Sequence, residues 1–175
     1  MLVSPESNHV HLILTPKTPE GLGRALGKAH RRYSGFVNAR NRVTGHLFQG
    51  RFSSVVMDEE HLMVAARYVA MNPVGARLVE RAEDWPWSSV RAHLADRDDG
   101  LVEVAPLLSR CGGRFADLIA EEADAALVAA LRAAETIGRP LGPSAFLDRL
   151  AALAGRDPRP GKRGRKPRRA AQAAG

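Results

Sequence analysis

His9 and His11 are the residues with the clearest chemical potential. They stand two apart in His9-Val10-His11-Leu12-Ile13-Leu14-Thr15. That stretch is short, β-prone and largely apolar, and it predicts a buried strand over residues 9–15, ended by Pro16. Side chains alternate across a strand, so both imidazoles face one side. Two neighbouring imidazoles can share one divalent ion. The same spacing also suits two packing or surface histidines, and by itself it leaves both readings open. Tyr68 is the second chemical group. It lies on a predicted helix that opens at Asp58-Glu59-Glu60 and stops at Asn72-Pro73. One helical turn separates Tyr68 from Asn72, so they share a face. A phenolic hydroxyl can attack a phosphodiester and keep the phosphate in covalent form. The Asn72 amide oxygen suits an oxygen-type place in a metal shell. A core tyrosine beside a helix-end asparagine is the alternative.

The elements that must hold these groups follow from local signals. Thr18 is the expected N-cap of a helix with Pro19 and Glu20 in its first turn, running to about Asn41. Its apolar positions Leu22, Leu26, Ala29, Tyr33, Phe36 and Val37 recur at helical spacing. Lys28, Arg31, Arg32, Arg40 and Arg42 are carried by the same helix. Thr44-Gly45-His46 marks a turn, and residues 47–57, with Phe48, Phe52, Val55 and Val56, predict a second strand after a break at Gly50. Leu62, Ala65, Ala66 and Val69 line one face of the Tyr68 helix. In Trp85-Pro86-Trp87-Ser88-Ser89, Ser88 or Ser89 caps a short helix to about Leu94.

Residues 96–100 are charged and end on glycine, which suggests a boundary. The expected organisation is a domain over residues 1–95, a helical region over 101–155, and a basic tail over 156–175. The helical region predicts segments near 115–134 and 143–154, separated by the turn Ile137-Gly-Arg-Pro-Leu-Gly142. That helix pair also admits a helix-turn-helix for DNA. The tail is rich in Pro, Gly, Lys and Arg, cannot bury a core, and is expected to be disordered when free. The chain shows no internal repeat.

Composition narrows the partners. A single cysteine, Cys111, excludes an intrachain disulfide framework and a zinc site built on several cysteines. No apolar run reaches the roughly 18–20 residues that cross a bilayer. The first residues lack the basic and apolar regions of a secretory signal, so the cytosol is the expected compartment. The net charge is +7, which suggests a polyanionic partner; a basic surface with no partner is the alternative. The positive charge concentrates over residues 24–42 and 156–169.

Four blocks carry a resemblance. Asn8-His9-Val10-His11-Leu12-Ile13-Leu14 looks like the NHVHLLL strand of REP-associated tyrosine transposases, members of the single-tyrosine HUH nucleases. Gly45-His46-Leu47-Phe48-Gln49-Gly50-Arg51-Phe52 is similar to that family's G-x-L-F-Q-x-R-F segment. Arg67-Tyr68-Val69-Ala70-Met71-Asn72-Pro73-Val74 resembles R-Y-I-x-x-N-P-V, and Trp85-Pro86-Trp87-Ser88-Ser89 resembles D-W-P-W-S-S. The blocks occur in the family's order and span about half the chain. Together they are far more specific than a lone His-x-His.

The resemblance implies an α+β fold with a ferredoxin-like antiparallel sheet and packed helices. It implies that His9 and His11 bind the metal, that Asn72 completes its shell, and that Tyr68 is the nucleophile. The ion in this group is Mg²⁺ or Mn²⁺, and imidazole ligands make Mn²⁺ the more comfortable of the two. The implied reaction cleaves and rejoins single-stranded or hairpin DNA through a 5′-phosphotyrosine. A relic of the family that only grips DNA, and an RNA-binding protein, are the competing expectations. Arg31, Arg32 and Arg51 are the candidate backbone contacts. Phe48 and Tyr33 are candidate base platforms, with core packing the preferred reading for both rings, as it is for Trp85 and Trp87. Lys162-Arg163-Gly164-Arg165-Lys166-Pro167-Arg168 is similar to an AT-hook; a plain phosphate-binding tail is the alternative. Family members usually carry a strand and helix before the His-x-His strand. Here that strand starts at residue 9, so an N-terminally truncated domain with an unpaired sheet edge is expected.

Overall fold

The computed structural model describes residues 2–5, 9–122 and 124–161. Among these residues the chain is α+β, with one two-stranded antiparallel sheet and seven α-helices. Strand β1 (Leu2–Pro5) pairs with β2 (Val10–Ile13), setting Leu2 opposite Ile13 and Ser4 opposite His11. This corrects the expectation of a His-x-His strand with no partner. Burial of Leu2, Val3 and Ser4 holds β1 in place, and four residues are too few to announce a strand by alternation. The far edge of β1 is also closed. Val3 N–H donates to Ser89 Oγ, and Ser89 N–H donates to the Val3 carbonyl, both at 3.0 Å. The Trp85–Ser89 block thus works as an edge cover. Ser88 Oγ accepts from Val90 N–H at 3.3 Å at the start of α3 (Val90–Leu94), close to the expected cap.

Helix α2 (Glu59–Gly75) lies against both strands. Asp58 caps it, accepting from His61 N–H at 3.1 Å and facing His61 Nδ1 at 2.6 Å. Burial acts to raise the Asp58 pKa, but these hydrogen bonds outweigh it and hold the carboxyl below its ordinary value. The buried face of α2 is Ala65, Ala66, Val69 and Ala70, small residues that let the helix backbone come close to its neighbours. The expected stop at Asn72-Pro73 does not occur. Pro73 is buried inside the helix, which continues to Gly75. Proline withholds its own N–H and crowds the carbonyl four residues back, but it leaves its own carbonyl able to accept. Beyond it, Ala76 N–H reaches the Asn72 carbonyl at 2.8 Å and Leu78 N–H reaches the Pro73 carbonyl at 2.9 Å.

Helix α1 (Gly21–Asn41) forms where expected but starts differently. Glu20 occupies the N-cap without a side-chain bond, and the Thr18 carbonyl accepts from Gly21 N–H at 3.0 Å. No residue of α1 is buried. Residues 47–57 form bends and irregular chain in place of the expected strand, with one isolated bridge from Met57 to Leu141. The reason lies in where the segment's polar groups go. Ser53 Oγ donates to the Glu135 carbonyl at 2.7 Å, Leu141 N–H to Val56 O at 2.8 Å, and Asp58 N–H to Leu141 O at 3.1 Å. The segment is laced to a helical turn, away from the sheet.

The second half contains α4 (Ala105–Leu108), α5 (Phe115–Ala120), α6 (Ala125–Ile137) and α7 (Ser144–Ala154). The continuous helix expected near 115–134 is interrupted after α5. Asp124 restarts it by accepting from Ala126 N–H at 2.7 Å and Leu127 N–H at 3.2 Å. Gly138 ends α6 with φ at 68°, a conformation glycine adopts without steric cost. One apolar cluster joins Leu2, Ala66, Val69 and Val90 to Val102, Leu107, Phe115 and Leu118. Residues on both sides of the 96–100 loop therefore share a core. Fully burying Phe115 contributes about 1.5–3 kcal/mol. No described helix is long and apolar enough to cross a membrane.

Candidate active site

Strand alternation turns His11 and Ile13 inward and leaves Val10 and Leu12 exposed. His11 thereby meets Tyr68 on α2. Their rings make an edge-on contact, with centroids 5.7 Å apart and planes at 76°. His9 and His11 are nearly perpendicular, at 87°, with centroids 4.7 Å apart. Their Nε2 atoms are 3.0 Å apart. Tyr68 is half-buried against the apolar cluster, which limits its freedom. The anchoring of α2 extends to its polar side, where Arg67 Nε donates to the Glu121 carbonyl at 2.5 Å.

Helix α6 adds two residues that the sequence did not single out. It packs on α2 through its buried Leu131 and Ala134. The Arg132 guanidinium carbon lies 5.5 Å from the Tyr68 ring centroid, within cation–π range. Glu135 Oε1 lies 3.8 Å from His11 Nδ1. That distance exceeds a direct hydrogen bond and is within ion-pair or water-bridged reach. A signal for both residues exists in the chain: two charges three apart, flanking an Ala/Leu stripe. It only acquires meaning once the stripe's partner is known.

The imidazole Nε2 atoms stand within hydrogen-bond distance of each other, a separation that two ligands of one divalent ion would also have. Two donors about 2.1 Å from one octahedral centre stand roughly 3.0 Å apart along a coordination edge. The observed Nε2 separation is 3.0 Å. Among the described residues no group of three or more His, Cys, Asp or Glu converges in this way. The candidate protein donors are thus the two imidazoles alone. Asn72 is half-buried one turn beyond Tyr68 and relates to the site by that placement.

The candidate DNA contacts form a separate surface. Arg31 and Arg51 line a cleft of about 620 Å³ with His30, Gly45, His46 and Phe48; Arg32 is exposed on α1 outside that lining. Phe48 stacks on His30 at 4.0 Å between centroids, with planes at 17°, and Tyr33 lies 6.2 Å from Phe48. Tyr33 is 56% exposed and Phe48 38%, which overturns the core reading of both. The cause is the missing second strand: Phe48 packs on α1 where no layer covers it. Trp87, also expected to pack, is 68% exposed, while Trp85 is half-buried. Ser88 and Ser89, which follow Trp87, cover β1, and this indole is left outside. Asn8, Lys162, Arg163, Arg165 and Lys166 lie outside the described residues.

Compared with family models, curated proteins and solved structures, the chain matches none of them.

Proposed function

We propose that the chain is a REP-associated tyrosine transposase, a nuclease and strand transferase for single-stranded DNA at hairpin-forming repeats. The observation that carries this reading is the meeting of His9, His11 and Tyr68, brought together by β2 and α2. The Tyr68 phenolic oxygen attacks phosphorus, and the bond from phosphorus to the 3′ oxygen breaks. The phenol proton passes to solvent, and the departing 3′ oxygen takes up a proton. The product is a 5′-phosphotyrosine and a free 3′ hydroxyl. Attack by another 3′ hydroxyl reverses the step and joins strands, so no nucleotide cofactor is needed.

His9 and His11 would hold Mg²⁺ or Mn²⁺, with Asn72 as the added oxygen donor. A bound ion supplies Lewis-acid charge and orientation at the phosphate. The His30–Phe48 stack and Tyr33 offer aromatic faces for unpaired bases, with Arg31, Arg32 and Arg51 available for phosphates. The reading includes a ferredoxin-like sheet to which the β1–β2 pair contributes two strands. It places the protein with DNA in the cytosol. The basic aromatic cleft alone would support a second reading, a family relic that binds DNA without cutting it.

The test is incubation of the protein with labelled hairpin DNA and Mn²⁺, followed by denaturing electrophoresis. A protein–DNA adduct that survives denaturation is expected, and Tyr68→Phe should abolish it. An adduct that persists in Tyr68→Phe means another residue is the nucleophile. DNA binding with no adduct from the unsubstituted chain favours the relic.

A further inference from the structure

We propose that helix α6 completes the catalytic centre, with Glu135 orienting His11 and Arg132 gripping the phosphate that Tyr68 attacks. This rests on the transposase reading. Three observations carry it. Glu135 Oε1 sits 3.8 Å from His11 Nδ1, on the side of the ring opposite the Nε2 that faces His9. A carboxylate there favours the tautomer protonated at Nδ1, which leaves the Nε2 lone pair for the ion. Arg132 holds a permanent cation 5.5 Å from the Tyr68 ring. A planar guanidinium is suited to two parallel hydrogen bonds with phosphate oxygens. Finally, α6 is not loosely placed. Leu131 and Ala134 are buried where it packs on α2, and its Glu135 carbonyl accepts from Ser53 Oγ at 2.7 Å. Both charged side chains therefore project from a fixed helix, as positioning of reacting groups requires.

The division of labour differs between the two residues. Glu135 acts through His11 and is a positioning residue. Arg132 touches the substrate itself, so its loss weakens the hold on the phosphate without disturbing the imidazoles.

Titrate Mn²⁺ into the full chain by calorimetry, alongside Glu135→Gln, Glu135→Ala and Arg132→Met, with thermal melts confirming the fold of each. Record ¹⁵N imidazole spectra of His11 without metal. Glu135→Ala should lose about tenfold in Mn²⁺ affinity and shift the His11 tautomer away from the Nδ1-protonated form. Arg132→Met should bind Mn²⁺ normally and slow adduct formation by about 100-fold. Arg132→Lys should recover part of that rate. Unchanged Mn²⁺ affinity and an unchanged tautomer in both Glu135 variants overturn the role of Glu135. An unchanged adduct rate in Arg132→Met overturns that of Arg132. The metal and tautomer measurements need no cleavage, so they judge Glu135 even if the unsubstituted chain forms no adduct. A chain that cuts through Tyr68 but ignores both α6 substitutions keeps its proposed function and loses this inference.

Discussion

Two regions of the molecule are built in opposite ways. The His9–His11–Tyr68 centre hangs from β2, α2 and α6, elements that share buried alanines, Val69 and Leu131. The arm made of α1 and the segment after it buries nothing of α1, yet carries Arg31, Phe48, Tyr33 and Arg51 on its surface. The bond making proposed for the centre demands fixed distances, and its groups are set in packed elements. Holding a flexible polyanion demands charge and aromatic faces, and those are most useful when exposed. On the proposed reading, stability and grip are therefore separable.

The separation can be broken or sharpened by substitution. The largest difference should appear in stability. Phe115→Ala removes a buried ring and is expected to cost about 3–5 kcal/mol, while Phe36→Ala on α1 should stay within about 0.5 kcal/mol, both read from urea melts. Comparable losses would mean that α1 is packed after all. Next comes affinity. Phe48→Ala should weaken binding to single-stranded DNA by about 1–3 kcal/mol while leaving Mn²⁺ affinity intact. A fall in Mn²⁺ affinity instead would join the two regions.

A pH dependence should mark the packed region alone. His93 is 1% exposed, its Nδ1 lies 2.8 Å from the Ser89 carbonyl, and its Nε2 has no hydrogen-bond partner. The carbonyl accepts only, so Nδ1 carries the proton and the neutral ring is buried. Burial holds the His93 pKa below its ordinary value, partly opposed by that carbonyl. The depressed pKa means the unfolded chain takes up the proton first. Stability is then complete above the unfolded value of about 6.5 and declines as pH falls through the folded one. Melting temperatures between pH 7.5 and 5 should fall, and His93→Phe should flatten that slope. The smallest expected effect belongs to Arg51→Ala, which should lower the salt slope of DNA binding by about one and leave the melt unchanged.

Much of the centre was legible because it rests on short periods. Two-residue alternation brings His11 inward, and helical spacing gives the Tyr68 face. Neither period says which helix covers the other side of α2, so Arg132 and Glu135 remained hidden. The Tyr33 and Phe36 stripe shows the opposite failure. Its spacing is amphipathic, yet spacing cannot supply a partner, and the rings stay in water. Residues 47–57 have strand-like composition, but bonds to Glu135 and Leu141 claim the segment first. At Pro73, tertiary burial overrode a local stop signal.

The link between Val3 and Ser89 has a consequence for biogenesis. A ribosome releases the hairpin bearing the histidines early, yet the hydroxyl and amide that secure its border emerge 86 positions later. Helix α6 emerges later still. A nascent chain halted before that point holds the imidazoles and the phenol without the framework that unites them, so the centre assembles only once α6 has emerged.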